Sequence, residues 1–231
     1  MSHHPFKPRA RRGEQFPGAF ITLEGPDGSG KTTNVDYLAE QVRQLGYDVI
    51  LTREPGGSDI GEDIRTLVIN KRMPAMAELL LMYASRADHV EELIKPALRQ
   101  GKIVISDRFS DSTFAYQGHG RGLREETLAI EEIVLKGFEP DWTLYFDVSL
   151  GTSLSRLAAR SGKSDRFDTE DVAFRQKLYN GYQERFAMHQ DRMYSIDAEL
   201  TPEEVRDQVR RFTRSCFQGW IQHRNADWVR S

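Results

Sequence analysis

Short apolar runs alternate with amphipathic stretches along most of the chain, and the alternation predicts its elements. Ala19-Phe20-Ile21-Thr22-Leu23 is apolar and β-branched, the pattern of a buried strand. Four more strands are expected: Tyr47 to Arg53 around Asp48-Val49-Ile50-Leu51, Lys102 to Asp107 around Ile103-Val104-Ile105, Trp142 to Phe146, and Met193 to Ile196. Between them the apolar spacing turns helical. Val35, Leu38, Ala39 and Val42 share one face of a helix running from Asn34. Gly61 to Asn70 reads as a short helix. Pro74 opens a long one through Leu79, Leu80, Tyr83, Ala84, Ala87 and Leu93 to about Gln100, with a bend near Pro96. Further helices are expected over Glu125 to Lys136 (stopped by Gly137), Ser149 to Arg160, and Val172 to Arg192. Thr201-Pro202-Glu203-Glu204 starts the last one with a capping box and a proline at its first position. Five strands alternating with helices predict a three-layer α/β domain whose five-stranded parallel sheet is covered on both faces.

Composition narrows the class without deciding it. The chain has 231 residues, a net charge of −3 and 29% charged residues, which suits a globular protein with no overall bias toward nucleic acid or membrane. No apolar run approaches the roughly 18 residues of a membrane span, and the start of the chain lacks a secretory h-region. The lone Cys216 cannot form an internal disulfide, so a cytoplasmic location is expected. Residues 1–17 carry Lys7, Arg9, Arg11, Arg12 and three prolines and read as a disordered basic tail. Residues 18–216 form the expected domain, and 217–231 a C-terminal extension.

The candidate chemistry gathers at the carboxyl ends of the strands, where ligands of such sheets sit. Gly25-Pro26-Asp27-Gly28-Ser29-Gly30-Lys31-Thr32-Thr33 follows the first strand and opens the first helix. It has every fixed position of the phosphate-binding P-loop, and the flanks that set this motif apart from a chance glycine turn. Its amides and the helix N-terminus can hold phosphates, Lys31 can reach the β- and γ-phosphates, and Thr32 can hold Mg²⁺. Asp107 ends a strand as a second P-loop carboxylate for Mg²⁺ would, although a helix cap is an alternative. Arg53, Arg65, Arg86 and Arg108 lie near strand ends or on adjoining helices and suggest a second anion site. Arg160-Ser161-Gly162-Lys163-Ser164-Asp165-Arg166 is a basic loop between two helices. It reads as a lid over about 160–168 or as an ordinary solvated connection. Glu54-Pro55-Gly56-Gly57 breaks the second strand so sharply that a cis peptide at Glu54-Pro55 is expected.

Several of these pieces together resemble the thymidylate kinase family. They are the loop from Glu24 to Thr33, Thr52-Arg53-Glu54-Pro55-Gly56-Gly57, Gly61-Glu62-Asp63-Ile64-Arg65, and Leu80-Leu81-Met82-Tyr83-Ala84-Ser85-Arg86. Asp107-Arg108-Phe109 with Ala115-Tyr116-Gln117-Gly118, and Ile196-Asp197-Ala198, complete the set. The resemblance implies the nucleoside-monophosphate-kinase fold, ATP and dTMP as substrates, Mg²⁺, and a homodimer. It implies acceptor-phosphate contacts from Arg65 and Arg108, and Asp27 between the nucleotides. Arg86, Thr113 and Gln117 would face the thymine edge, and Tyr116 the deoxyribose. Glu54 and Pro55 would line the acceptor site. Gly28 stands where some members carry a P-loop arginine, which implies the group whose catalytic arginines sit in the lid, here Arg160 and Arg166. Met82 departs from the usual phenylalanine, and Thr113 from the usual serine or asparagine. Three other readings are a kinase for a different small acceptor, a nucleotide-switched binding protein, and a non-catalytic interaction module, which leaves the anion-binding set unexplained. The second lacks a guanine-reading motif, since Asn70-Lys71-Arg72-Met73 has no aspartate.

Overall fold

A computed structural model describes residues 16–159, 166–167 and 169–228. Most of the expected basic tail, and lid residues 160–165 and 168, lie outside the described residues. Five strands, β1 (Ala19–Glu24), β2 (Val49–Arg53), β3 (Ile103–Asp107), β4 (Trp142–Asp147) and β5 (Met193–Asp197), form one parallel sheet in the order β2-β3-β1-β4-β5.

Central β1 is buried at every position, and its side chains divide between two cores as the period of a strand requires. Ala19, Ile21 and Leu23 face helices α1 (Lys31–Gln44) and α9 (Pro202–Trp228), while Phe20 packs with Val90, Ile94, Leu98 and Phe109 on the opposite side. Edge strand β2 is only partly covered. The register aligns Leu23 and Arg53 with Asp107, so the carboxyl ends of three strands finish together.

Helix α2 (Asp59–Asn70) starts at Ser58, whose hydroxyl accepts from the Gly61 amide. The expected long helix is α3 (Ala75–His89), a π-helical segment Val90–Ile94, and α4 (Lys95–Arg99) in direct succession. The π segment lies just before Pro96, where the missing amide N–H breaks the regular ladder. Helix α6 (Arg124–Leu135) ends with Lys136 and Gly137 both at positive φ, and α7 covers Leu150–Ala159. The Thr201–Glu204 capping box is formed. The boundary expected at 216/217 falls inside α9, and Phe217 and Trp220 are buried in the core.

One local expectation changes. Helix α8 (Val172–Met188) stops short of Arg192 because the chain turns at His189 and sends the Arg192 guanidinium inward to buried Asp111 (2.6 and 2.8 Å). Ser110–Thr113 forms a short helix, α5, continued by a π-helical Phe114–Gly120. All four residues of its Ser-Asp-Ser-Thr run are buried.

Candidate active site

The first functional segment leaves the end of β1. A Cβ on Gly25 would stand 2.6 Å from the Phe146 carbonyl, so only glycine lets the loop pass the neighbouring strand. Gly30 caps α1 at φ 89°, in the left-handed region. Lys31 is buried along the loop, its ammonium donating to the carbonyls of Gly25 (2.7 Å) and Pro26 (2.9 Å). Burial, followed by the Arg108 cation, lowers its pKa to about 8. Helix α7 braces the loop, with Ser153 Oγ donating to the Asp27 carbonyl (2.7 Å) and Arg156 reaching the Gly28 carbonyl. Thr32 donates to Asp107 Oδ2 (3.2 Å), while Asp107 Oδ1 is buried with no hydrogen-bond partner.

Arg108 has a backbone φ of 74° although it carries a side chain, a conformation costing of order 1–3 kcal/mol. Its amide donates to the Leu23 carbonyl, and its own carbonyl accepts from Ser106 Oγ. That backbone aims the guanidinium back over the loop. It donates to Asp27, the Gly25 carbonyl, Ser112 Oγ and Tyr182 Oη. Tyr116 Oη also donates to Asp27 (2.7 Å). Burial alone would raise the Asp27 pKa, but Arg108, Lys31 and Tyr116 outweigh it and hold the carboxyl at about 2.

Beyond Arg108 opens a cleft of about 540 Å³, lined by Asp27, Glu54, Pro55, Arg65, Met82, Arg108, Tyr116 and Gln117. Glu54-Pro55 is a cis peptide, as the sharp turn predicts. Arg65 donates to the Pro55 carbonyl (2.9 Å). Glu54 binds buried Arg86 at Nε (2.7 Å) and His89 at Nδ1 (2.9 Å). Arg86 Nη2 donates to Thr113 Oγ1 (2.8 Å), while its Nη1 is buried without a partner. Gln117 Nε2 donates to Glu78 (2.7 Å), which leaves Gln117 Oε1 buried and unpartnered.

This is a phosphate-binding loop facing a second, arginine-rich cleft that ends in buried, unsatisfied polar atoms. The family model for thymidylate kinase matches residues 23–209. A thymidylate kinase of Pseudomonas putida (strain GB-1) is 46% identical over 83% of this chain and 93% of its own length. One from Cupriavidus necator is 46% identical over 83% and 96%, and one from Pseudomonas entomophila 48% over 78% and 88%. The chain belongs to the thymidylate kinase family. It is a P-loop kinase, a transferase that phosphorylates dTMP to dTDP with ATP as donor.

Of the acceptor-site residues expected in this kinase, eight line the cleft, and Arg86 and Thr113 are buried beside it. Arg53 points away from the cleft and pairs with Glu62 at 2.9 Å on the surface, because side chains alternate along β2. Arg160 lies outside the described residues. Arg166 pairs with Glu78 and donates to the Val68 carbonyl. Ile69, Ser112 and Phe167 also line the cleft. The first two had readable neighbours, in the Gly61–Asn70 helix and the Asp-Arg-Phe block. Phe167 sits at the foot of the basic loop, and only its aromatic ring set it apart.

Proposed function

We propose that dTMP enters the cleft with its phosphate between Arg65 and Arg108. Its deoxyribose then rests beside Tyr116 and Asp27, and its base meets Met82, Arg86 and Gln117. The γ-phosphoryl of ATP arrives from the Gly25–Thr33 loop. One observation carries this reading: a buried donor without a partner, Arg86 Nη1, and a buried acceptor without one, Gln117 Oε1. Thymine offers the complement, an acceptor at O4 and a donor at N3. Cytosine reverses both, so it would leave like groups facing each other. Thr113 acts through Arg86, whose orientation it fixes together with Glu54.

The chemistry needs no general base, because a monophosphate with a second pKa of about 6 is mostly dianionic at pH 7. The barrier is repulsion between polyanions, and fixed cations with in-line geometry lower it. Lys31 and Arg108 supply two cations where the loop meets the cleft. A lid arginine supplies a third, and the pairing of Arg166 with Glu78 favours Arg160 for contact with the transferred group. Thr32 and Asp107 suit Mg²⁺, which takes one or two protein ligands beside phosphate oxygens, and Asp107 Oδ1 has no other partner. Bound there, the ion would offset the developing phosphate charge. Exposed Ile60 and Leu67 on α2 and Leu80 on α3 support a homodimer through these helices. The free, buried Cys216 supports a cytoplasmic setting.

The test is kcat/KM for the thymidine, deoxyuridine, deoxycytidine and deoxyguanosine monophosphates. The wild type should favour dTMP, with dUMP nearest, because the thymine methyl adds only about 1–3 kcal/mol of apolar contact. Arg86→Ala should flatten the ranking. It also strips buried Glu54 of a partner, at about 3–5 kcal/mol, so Gln117→Leu is measured beside it. A wild type that prefers a purine, or two variants that keep the ranking, would defeat the base assignment.

A further inference from the structure

Glu78 takes no part in the chemistry described above, yet it is 1% exposed on the first turn of α3 and both of its oxygens are engaged. Oε1 accepts from Gln117 Nε2 (2.7 Å) and from Arg121 Nε (3.3 Å). Oε2 accepts from Arg166 Nη2 (2.5 Å). Arg121 in turn holds Glu170 (2.6 Å), and Arg166 also donates to the Val68 carbonyl. One buried carboxylate thus joins α3, the π-helical Phe114–Gly120 that carries Gln117, and Arg166, with Glu170 reached through Arg121.

Two consequences follow for the cleft. A carboxylate between guanidiniums accepts and cannot donate, so the amide nitrogen of Gln117 must face it. The Gln117 oxygen is then left as the unpartnered acceptor. Arg166 is followed directly by Phe167, whose ring lines the cleft and meets Tyr116 edge-on at a centroid distance of 5.6 Å. Phe167 also packs with Ile64, Val68 and Met82, beside the position where the family's usual phenylalanine is missing.

We propose that Glu78 is a positioning residue. It sets the polarity of the base-reading amide and seats Arg166-Phe167 as an aromatic wall of the acceptor cleft, so that base reading and wall placement depend on one carboxylate. Arg166 is then a tether for Phe167 and does not contact the transferred phosphoryl group. The proposal rests on the base reading given above, and its experiment separates the two.

Glu78→Gln can donate as well as accept, so it lets the Gln117 amide turn either way. Its dTMP-over-dCMP ratio of kcat/KM should fall roughly ten- to a hundredfold, the scale of a lost hydrogen-bond discrimination. Arg166→Met leaves Gln117 paired and releases only the wall. It should raise KM for dTMP several-fold while keeping kcat and most of the base ratio. Phe167→Ala should reproduce that KM change and add little to Arg166→Met. Circular dichroism and Tm are recorded for each variant. A wild type that does not discriminate dTMP from dCMP ends the base reading itself. A discriminating wild type with an unchanged ratio in Glu78→Gln ends the proposal and leaves the base reading standing. If Glu78→Gln does not fold, Glu78→Asp replaces it: the shorter carboxylate cannot span Gln117 and Arg166 together, and an unchanged ratio and KM would overturn the proposal. A fall in kcat with KM constant in Arg166→Met would return Arg166 to the phosphoryl group.

Discussion

The donor loop and the acceptor cleft hold their cations by different means. Lys31 is fixed by carbonyls five and six residues before it, within one turn of chain. Arg86 and Arg108 are fixed chiefly by groups 27 to 83 residues away, drawn from the Glu54 turn, the Gly25–Asp27 stretch, α5 and α8, with Ser112 and Tyr116 as nearer partners of Arg108. The loop is therefore a local device that any strand–loop–helix unit can carry. The cleft exists only once the sheet and its helices have assembled. The cations differ as well: burial brings Lys31 down to about 8, whereas the phenols and carboxylates around Arg108 overcome burial and hold it charged.

The largest effect comes from breaking the local device. Lys31→Ala removes the loop's only side-chain cation for the β- and γ-phosphates, and kcat should fall roughly 10²- to 10³-fold, as for other lost transition-state donors. The cleft does not depend on Lys31 for its hydrogen bonds, so dTMP binding by calorimetry should be little changed. Turnover near wild type would remove the P-loop mechanism, and lost dTMP binding would show that the two regions are not independent.

A smaller effect separates the regions by titration. Lys31 in the free protein titrates near 8, and ATP phosphates favour its charged form. ATP affinity should therefore be flat below pH 8 and fall above it, by at most about tenfold per pH unit, with proton uptake on binding. The arginines of the cleft do not titrate in this range, and the dTMP phosphate is already dianionic, so dTMP affinity should stay level from pH 7.5 to 9, below the loss of the thymine N3 proton. Calorimetry in buffers of different ionisation enthalpy reads both. A level ATP profile would mean that the loop's ammonium is not perturbed.

The same contrast explains what was legible in the sequence. The strands, the P-loop and the turn at Glu54-Pro55 each declare themselves within about ten residues, through periodicity or the fixed geometry of glycine and proline. The resemblance carried most of the cleft residues. What stayed hidden is polar and buried. Ser110-Asp111-Ser112-Thr113 looks like a surface turn until Arg185 and Arg192 close on Asp111 and Arg108 reaches Ser112. Glu78 looks like the solvated acid of an amphipathic helix until Gln117, Arg121 and Arg166 meet around it. Such residues contradict local hydrophobic patterning, and only tertiary partners offset the cost of burying them.

The smallest effect concerns Glu24, where the two regions join. It ends β1 immediately before the loop. Its carboxyl accepts from the Phe109 amide (2.7 Å) and bonds Ser112 Oγ, both beside the acceptor arginine. Burial first, then the negative charge of Asp111, raises its pKa to about 8. A raised pKa means that the folded state keeps its proton more tightly than the unfolded chain, whose carboxyl titrates near 4.5. Glu24 therefore costs no stability below about pH 4.5, and the fold loses stability as pH rises from there toward 8. Glu24→Gln supplies the same pattern as the protonated acid, with an oxygen to accept from Phe109 and an N–H for Ser112, and it carries no titrating proton. The variant should fold, keep turnover within a few-fold of wild type, and show a shallower decline of unfolding free energy between pH 5 and 8. Urea denaturation across that range reads the slope directly. Equal slopes in the two proteins would mean that Glu24 is ionised in the fold, and that the charge of Arg108 reaches across the join to stabilise it.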